Sequence, residues 1–247
     1  MATKAILRDV IVSHEHRFIF VKTHKTAGTS IEVALSALAG DDAIVTPVQP
    51  PEPDHLPRHW RRLFNPLPEL VDRYVRHEPS IEDRSFGVTL TDLRRRWAFR
   101  NHLPAALIRA RVGRKTWDSY FTFCFERNPW DKVVSWYFYS TRNDAHRPTF
   151  EQWASAAELP TDWNRYTLDG RVAVDFVGRF EHLDADLAHA LAEVGITDVP
   201  QLTRAKGQLR SASTATPITS ALDKRIREVF ANEIREFGYA RPASSVT

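Results

Sequence analysis

Short apolar runs, each followed by a polar loop and then by a helical pattern, constrain this chain more than any other feature. The first run, Phe18–Val21, has no polar alternation, which is typical of a strand buried on both faces of a parallel sheet, although a buried helical turn would look the same. The polar residues 22–30 follow it, and apolar residues then recur at helical spacing as far as Leu38. This order favours a strand, a loop and a helix.

Two later segments repeat the pattern. An aromatic, strand-forming run begins at Tyr120 and is followed by Asn128, a good helix N-cap, with Pro129 at the first helical position. Residues 172–180 are interpreted as a third strand, which leads into a helix that ends near Gly195. Strands that alternate with helices predict an α/β fold with a mostly parallel central sheet and helices on both faces.

The rest of the chain contributes a helix and an irregular segment. Residues 217–237 carry apolar side chains at helical spacing, and Gly238 is predicted to end that helix. Residues 41–86 contain eight prolines, so much of this segment is expected to be irregular and to form an insertion or a lid. We expect the 247 residues to form a single domain.

Composition excludes several classes of protein. Lys and Arg number 34 against 31 Asp and Glu, and a formal charge of +3 suits an enzyme with a local anion site better than a dedicated nucleic-acid binder. The single cysteine, Cys124, excludes an intrachain disulfide and any multi-cysteine metal site. Nowhere do 18 apolar residues follow one another, so no membrane span is predicted. A cytoplasmic location is expected.

The loop at residues 22–30 has the composition of an anion-binding site. Small and hydroxyl residues stand where the helix begins, so backbone N–H groups can converge on an anion, and Lys25 adds a positive charge. The loop is not a Walker A motif, because the lysine precedes Gly28 and the second glycine is missing. The sequence predicts a phosphate or sulfate cradle here, and an ordinary strand-to-helix turn is the alternative.

A second anion site is predicted where the next strand ends. Arg127 follows that strand, and Ser135 lies two turns into the following helix. An arginine offers a planar fork to phosphate, and a serine hydroxyl can complete the site. An Arg127 paired with Asp131 is the alternative. Two anion sites on neighbouring crossovers predict a ligand with two phosphate-like groups.

Four stretches of the sequence resemble a known family, the sulfotransferases that use 3′-phosphoadenosine-5′-phosphosulfate (PAPS), and within it the carbohydrate or family 2 type. Residues 18–30 are similar to the family's 5′-phosphosulfate loop, and residues 123–137 to its 3′-phosphate motif. Residues 102–109 are similar to the histidine-containing helix start between these motifs, and residues 174–183 to a later strand and helix. The resemblance implies a P-loop-like sulfotransferase fold.

The resemblance also implies a role for each matching residue. PAPS would be the sulfuryl donor and adenosine 3′,5′-bisphosphate (PAP) the product, with no metal required. Lys25 would be catalytic, because it would steady the charge that develops on the leaving phosphate. The 5′-phosphosulfate would be held by Lys25, Thr26, Ala27, Gly28, Thr29 and Ser30, and the 3′-phosphate by Arg127, Ser135 and a basic loop with Lys206 and Arg210.

His102 is the general base that the resemblance implies, since a neutral imidazole can take the proton of an acceptor hydroxyl. A capping or structural role for His102 is the alternative. His24, inside the loop, is expected to line the donor pocket, and a carboxylate could serve as the base instead. The resemblance implies that the acceptor is a hydroxyl of a saccharide. The basic residues that crowd positions 94–115 could receive an anionic saccharide, although such a run can also be a solvated helix face.

Two other functions stay open at this level. A small-molecule kinase with an atypical phosphate loop would use the same crossover geometry. A noncatalytic module could bind an anionic glycan or RNA through residues 94–115. The region before the last helix also departs from the resemblance, because this branch often carries a tyrosine-rich stretch where this chain has residues 203–211.

Overall fold

A computed structural model of the chain describes residues 10–76, 79–100, 102–202 and 216–242. Its centre is a five-stranded sheet with the strand order β3-β1-β2-β4-β7. These strands are β1 (Val10–Ser13), β2 (Phe18–Val21), β3 (Ile44–Val45), β4 (Phe121–Glu126) and β7 (Phe176–Arg179), and a separate ribbon pairs β5 (Thr167–Leu168) with β6 (Arg171–Val172).

Helices surround the sheet. They are α1 (Gly28–Leu38), α2 (Leu67–Arg76), α3 (Pro79–Arg94), α4 (Ala105–Val112), α5 (Arg114–Ser119), α6 (Pro129–Ser140), α7 (Phe150–Ala156), α8 (Trp163–Tyr166), α9 (Leu183–Ala192), α10 (Ser220–Val229) and α11 (Ala231–Phe237), with a 3₁₀ turn at Phe180–His182 before α9. None of the helices within the described ranges combines the length and the apolar character needed to cross a bilayer.

The predicted parallel sheet is confirmed at its centre. β2 pairs in parallel with β4, and β4 with β7, whereas β1 runs antiparallel to both β2 and β3 at one edge. Val21 lies opposite Cys124 in the parallel register. The loops that follow β2 and β4 therefore leave the sheet side by side, which brings together the two predicted anion-binding segments.

Apolar packing on both faces of the sheet explains the uninterrupted apolar strands. Ile19 and Val21 pack in a cluster on one face, while Phe18 and Phe20 pack in a second cluster on the other face. Both clusters include residues of β4, and Cys124 is buried among them. A strand with two buried faces must be apolar at every position, as the run Phe18–Val21 predicted.

The proline-rich segment is partly irregular, as the sequence predicted. Residues 46–66 contain no helix or strand, which confirms that much of residues 41–86 is irregular. The helices α2 and α3 were not predicted, because two of their prolines stand in the first helical turn, where no intrahelical N–H bond is lost. Arg111 of α4 anchors both helices: its guanidinium binds Glu69 of α2 at 2.8 Å and Asp92 of α3 at 3.0 Å. The insertion is thus tied to the main body by a buried ion cluster.

Element boundaries differ from the sequence prediction at two further places. The third strand is shorter than predicted, since Phe176–Arg179 pairs with β4 and Arg171–Val172 belongs to the ribbon. The predicted helix 217–237 is broken into α10 and α11 at the buried Phe230, whose φ of −103° and ψ of 26° leave the helical region. The caps are confirmed: the Asn128 side chain accepts a hydrogen bond from Trp130 N, and Gly238 has a φ of 63°.

Gly178 of β7 gives a test of this packing. A Cβ added at Gly178 would lie 2.5 Å from a ring carbon of Phe125, so Gly178→Ala should destabilise the fold by about 1–3 kcal/mol through overpacking. Gly87→Ala is the matched control, because Gly87 is exposed within α3 and has no atom within 4 Å of an added Cβ. That change should stabilise by up to about 1 kcal/mol. Urea unfolding measures both, and equal effects would contradict the packing.

Candidate active site

The loop between β2 and α1 is held in an unusual backbone conformation. Lys25 and Ala27 have φ values of 62° and 60°, in the left-handed region that side chains other than glycine seldom adopt. The Thr23 hydroxyl pins the loop to β4 by donating to the carbonyl of Phe125, and it lies 2.9 Å from the Thr26 hydroxyl. Left-handed residues persist where surrounding contacts enforce them, and they cluster at functional sites.

The amino terminus of α1 faces the same loop. Ala27 is its N-cap and offers no side-chain acceptor, and the first turn carries no acidic residue. The helix dipole makes this amino-terminal end of α1 positive. Gly28 is required there, because a Cβ would lie 2.7 Å from Cε of Lys22, whose stem runs beneath it. This arrangement suits the predicted anion cradle.

Lys25 places its charge beside an aromatic ring. Its Nζ lies 4.1 Å from the ring centroid of Tyr139 on α6, at the distance of a cation–π contact. Tyr139 in turn stacks on Trp136, whose ring meets that of His24 edge to face at 5.7 Å. The α6 surface therefore forms an aromatic wall along one side of the loop.

Arg127 ties the loop to α6. Its guanidinium donates to Asp131 through Nε at 2.7 Å and also through Nη2, and its Nη1 donates to the carbonyl of Lys25 at 2.9 Å. The guanidinium also lies 3.9 Å from the ring centroid of Phe180. The pairing with Asp131 that the sequence left as an alternative is present. The contact with Lys25 also joins the two predicted anion-binding segments.

The remaining predicted 3′-phosphate residues are less closely joined. Ser135 is half-buried on α6 and makes no hydrogen bond to Arg127 in the described structure. Thr26 is buried with its hydroxyl turned to Thr23, so its backbone N–H is the group it can offer to a ligand. Lys206 and Arg210 lie outside the described residues.

Two histidine rings stack against the loop. His102, which also has a left-handed backbone at φ 50°, places Nδ1 3.1 Å from the carbonyl of Lys22. Its ring lies on that of His24, with centroids 3.9 Å apart and planes inclined by 19°. The His24 ring binds Oδ1 of Asp162 through Nδ1 at 2.7 Å. The predicted base therefore lies directly against the predicted cradle.

Asp162 belongs to a buried network of charges. Its carboxylate binds Nζ of Lys132 and Nε of Arg165, each at 2.6 Å, and it also accepts from the backbone N–H of His24 at 2.7 Å. Lys132 bridges to Glu126 at 2.6 Å. The Asp162, Lys132 and Glu126 side chains are all essentially inaccessible to solvent.

Burial and charge shift the pKa values of these groups in different directions. Burial acts to raise the pKa of Asp162, but the charges of Lys132 and Arg165 and the hydrogen bond from His24 hold that pKa well below its usual value. Burial raises the pKa of Glu126 to about 7, although Lys132 opposes the shift. The network is therefore built around an ionised Asp162.

Both histidines are held neutral near neutral pH. Burial lowers the pKa of His24, and Asp162 offsets part of that effect. Burial lowers the pKa of His102 well below its usual value, and the positive charges of Arg165 and Lys22, together with that of His24 once His24 is protonated, lower it further. Because the Lys22 carbonyl can only accept, Nδ1 of a neutral His102 carries the proton and Nε2 keeps a lone pair. Such a ring can take a proton from a hydroxyl.

Sequence reasoning missed the carboxylate network. In the sequence, Glu126 is simply the end of an aromatic strand-forming run, and Lys132 is an ordinary polar residue in the first turn of the following helix. The spacing of Asp162 and Arg165, three residues apart, is the only local signal, and it is common on solvated helices. No group of three or more histidine, cysteine or acidic side chains suited to a metal ion occurs among the described residues.

Lys132→Met tests the network, since it leaves two buried carboxylates without their shared ammonium. We expect a loss of about 3–5 kcal/mol at pH 8. Without Lys132, the folded-state pKa of Glu126 rises further above its unfolded value, and the folded-state pKa of Asp162 rises towards its unfolded value. The native state of the variant therefore binds more protons than the native state of the wild type, and the stability of the variant relative to the wild type falls as pH rises. Urea unfolding at pH 8 should therefore show a larger loss than at pH 5.5.

The exposed Lys224→Met on α10 is the matched control and should change stability by less than about 0.5 kcal/mol at either pH, because its ion pair with Glu228 is in solvent. An equal loss for Lys132→Met at both pH values would contradict the buried pairing.

Comparisons with known proteins identify the family. The sulfotransferase family model matches residues 8–240, which is nearly the whole chain. An uncharacterized protein of Archaeoglobus fulgidus is 39% identical over 102 residues, which cover 39% of this chain and 85% of that protein. No solved structure matches the chain. Since the family match includes the loop after β2, the paired histidines and Arg127, the chain belongs to the sulfotransferase family.

Proposed function

We propose that this protein transfers the sulfuryl group of PAPS to a hydroxyl of a saccharide acceptor. The observation that carries the proposal is the contact between the candidate base and the anion cradle: His102 binds the carbonyl of Lys22 and stacks on His24 of the same loop. Sulfuryl transfer needs those two elements together, an anion site for the donor and a base for the acceptor hydroxyl. Membership of the sulfotransferase family supports the reaction type.

The cradle residues hold the 5′-phosphosulfate in this proposal. The N–H groups of Ala27, Gly28, Thr29 and Ser30 lie at the positive end of α1, and Thr26 contributes its N–H. Lys25, whose Nζ lies on the Tyr139 ring, would supply the positive charge that stabilises the negative charge developing on the leaving phosphate. We propose that this lysine and the N–H groups fill the role that magnesium has in a kinase.

Arg127 and Ser135 bind the 3′-phosphate in this proposal, and Lys206 and Arg210, which lie outside the described residues, are its further predicted ligands. Asp131 and the Lys25 carbonyl already hold the Arg127 guanidinium in one orientation, so little side-chain freedom is lost when the phosphate binds. Because Arg127 also supports the Lys25 carbonyl, occupation of the 3′ site is coupled to the shape of the 5′ cradle.

His102 is the proposed general base. When bound, PAPS supplies a sulfuryl group whose bond to the phosphate oxygen breaks as the acceptor oxygen bonds to sulfur. His102 takes the hydroxyl proton on Nε2, and Arg165 holds the ring in place by donating to the His102 carbonyl. An anionic saccharide is favoured by the basic residues of positions 94–115 that are exposed, which are Arg94, Arg95, Arg96, Arg114 and Lys115. The single buried cysteine suits the cytoplasmic location that we propose.

Ligand selectivity tests the function. PAP at about 100 times its Kd should stabilise the protein by about 2.7 kcal/mol, which for a chain of this size raises Tm by about 5–10 °C. ADP and ATP should give much smaller shifts, because they lack the 3′-phosphate. The measurement is a thermal melt with each nucleotide, with and without Mg²⁺. Equal shifts with ATP, or a shift that needs Mg²⁺, would favour the kinase.

Arg127→Ala tests the 3′-phosphate site. The variant should bind PAP about 10-fold to 150-fold more weakly, which corresponds to about 1.5–3 kcal/mol for a charge-assisted hydrogen bond. Binding of adenosine 5′-phosphate should weaken by a clearly smaller factor, because that ligand lacks the 3′-phosphate and senses only the lost support of the Lys25 carbonyl. Calorimetric titration measures both ligands, with the exposed Arg235→Ala on α11 as the control. Arg127→Lys should recover only part of the affinity, because it lacks the planar fork. A variant that still selects PAP over adenosine 5′-phosphate would place the second site elsewhere.

A further inference from the structure

The two stacked histidines have different partners, and this difference bears on which of them is protonated first. Both rings use Nδ1 for their hydrogen bond, His24 to the carboxylate of Asp162 at 2.7 Å and His102 to the carbonyl of Lys22 at 3.1 Å. Neither acceptor can donate, so in the neutral rings Nδ1 carries the proton and Nε2 the lone pair. Each ring of the stack therefore keeps an Nε2 lone pair that can take up a proton.

The stacked His24 and His102 rings take up one proton much more easily than a second. Two imidazolium rings with centroids 3.9 Å apart would place like charges in direct contact in a buried site, which strongly opposes the second protonation. The first proton goes where its charge is best compensated. His24 contacts the ionised Asp162, whereas the nearest partner of His102 is a neutral peptide carbonyl.

The surrounding charges favour the same order. His24 faces Asp162 and Arg165 of the 162–165 segment, Lys132 of α6 and the edge of the Trp136 ring. His102 faces His24, Arg165 and Lys22, with Asp162 further along the network. The cations oppose protonation of both rings, and Asp162 offsets this for His24 by two direct bonds, one to the ring and one to the backbone N–H.

We propose that His24 and His102 share a single proton, that Asp162 directs it to His24, and that His24 is thereby the positioning residue that sets the acid limit of the reaction. The proposal rests on the proposed function for its catalytic consequence, since His102 is the base of that reaction. While His24 is neutral, its ring supports His102 in the stack. Once His24 is protonated, its charge opposes proton uptake by His102, and turnover falls although His102 itself is still neutral.

Nitrogen-15 NMR of ring-labelled histidines in the full chain tests the order of protonation without donor or acceptor. The wild-type His24 ring should show an Nδ1–H tautomer and should titrate at a higher pH than His102. His24→Phe keeps an aromatic ring on His102 but removes the first proton site. In that variant His102 should titrate at a higher pH than in the wild type, by about one unit, because the neighbouring charge is gone.

The pH dependence of kcat tests the catalytic consequence. The acid limb of the wild-type profile should coincide with the titration of His24, and in His24→Phe it should move about one unit lower, to the titration of His102 alone. Each profile is normalised to its own maximum. His14→Phe is the control, because His14 bonds to the Tyr120 hydroxyl at 2.9 Å on another part of the sheet edge, and it should move neither the limb nor the titration of the pair.

The outcomes separate the two proposals. Titration of His102 before His24, or an acid limb that does not move in His24→Phe, would overturn the shared-proton pair even if sulfuryl transfer is demonstrated. Asp162→Asn should lower the pH at which His24 titrates. If Asp162→Asn does not fold, the result with His24→Phe decides the question. Absence of sulfuryl transfer with every saccharide acceptor would refute the proposed function, while the NMR titration would still decide the order of protonation.

Discussion

The carboxylate of Asp162 organises the candidate site, because groups from three separate segments bind its two oxygens. Oδ2 receives the Lys132 ammonium and the backbone N–H of His24, and Oδ1 receives the His24 ring and Arg165. A fully buried carboxylate is stable only when such partners replace its water. The loop after β2, the helix α6 and the short helix α8 are thereby fixed relative to one another.

A second constraint is the parallel pairing of β2 with β4. It makes the loop that contains Lys25 and the helix start that contains Arg127 neighbours, although about a hundred residues separate them in the chain. Arg127 uses this proximity: it binds Asp131 on its own helix and the carbonyl of Lys25 on the other loop. The left-handed conformation of Lys25 is thus supported from outside the loop, as backbone strain at a functional site requires.

The same residues serve both structure and the proposed chemistry. Arg127 supports the loop after β2 through the Lys25 carbonyl, and its pairing with Asp131 also orients the guanidinium fork that the proposal assigns to the 3′-phosphate. The stack of His24 on His102 likewise packs the site and couples the two rings electrostatically. A site whose functional side chains already make structural contacts is rigid, and this rigidity reduces the free energy that is needed to organise the site around a ligand.

The sequence by itself determined the order of strands, loops and helices around the sheet centre, and with it the two segments at the carboxyl ends of β2 and β4. Apolar runs, the Asn128 cap and the polar loop at residues 22–30 are local signals, so they could be read without coordinates. The helices within residues 41–86 were missed, because prolines were interpreted as helix breakers when two of them begin helices.

Only the tertiary structure decided which polar side chains meet. Asp162 lies about 140 residues from His24, and nothing in its local sequence distinguishes a buried carboxylate from a solvated one. The stack of His24 on His102 depends in the same way on two loops that contain residues with left-handed backbone conformations and that converge from distant parts of the chain. Hydrogen bonds and ion pairs act over a few ångströms between groups that the fold brings together, whereas sequence patterns record mainly the periodicity of burial. For this reason the position of the loop after β2 was predictable, and the network that orients its histidines was not.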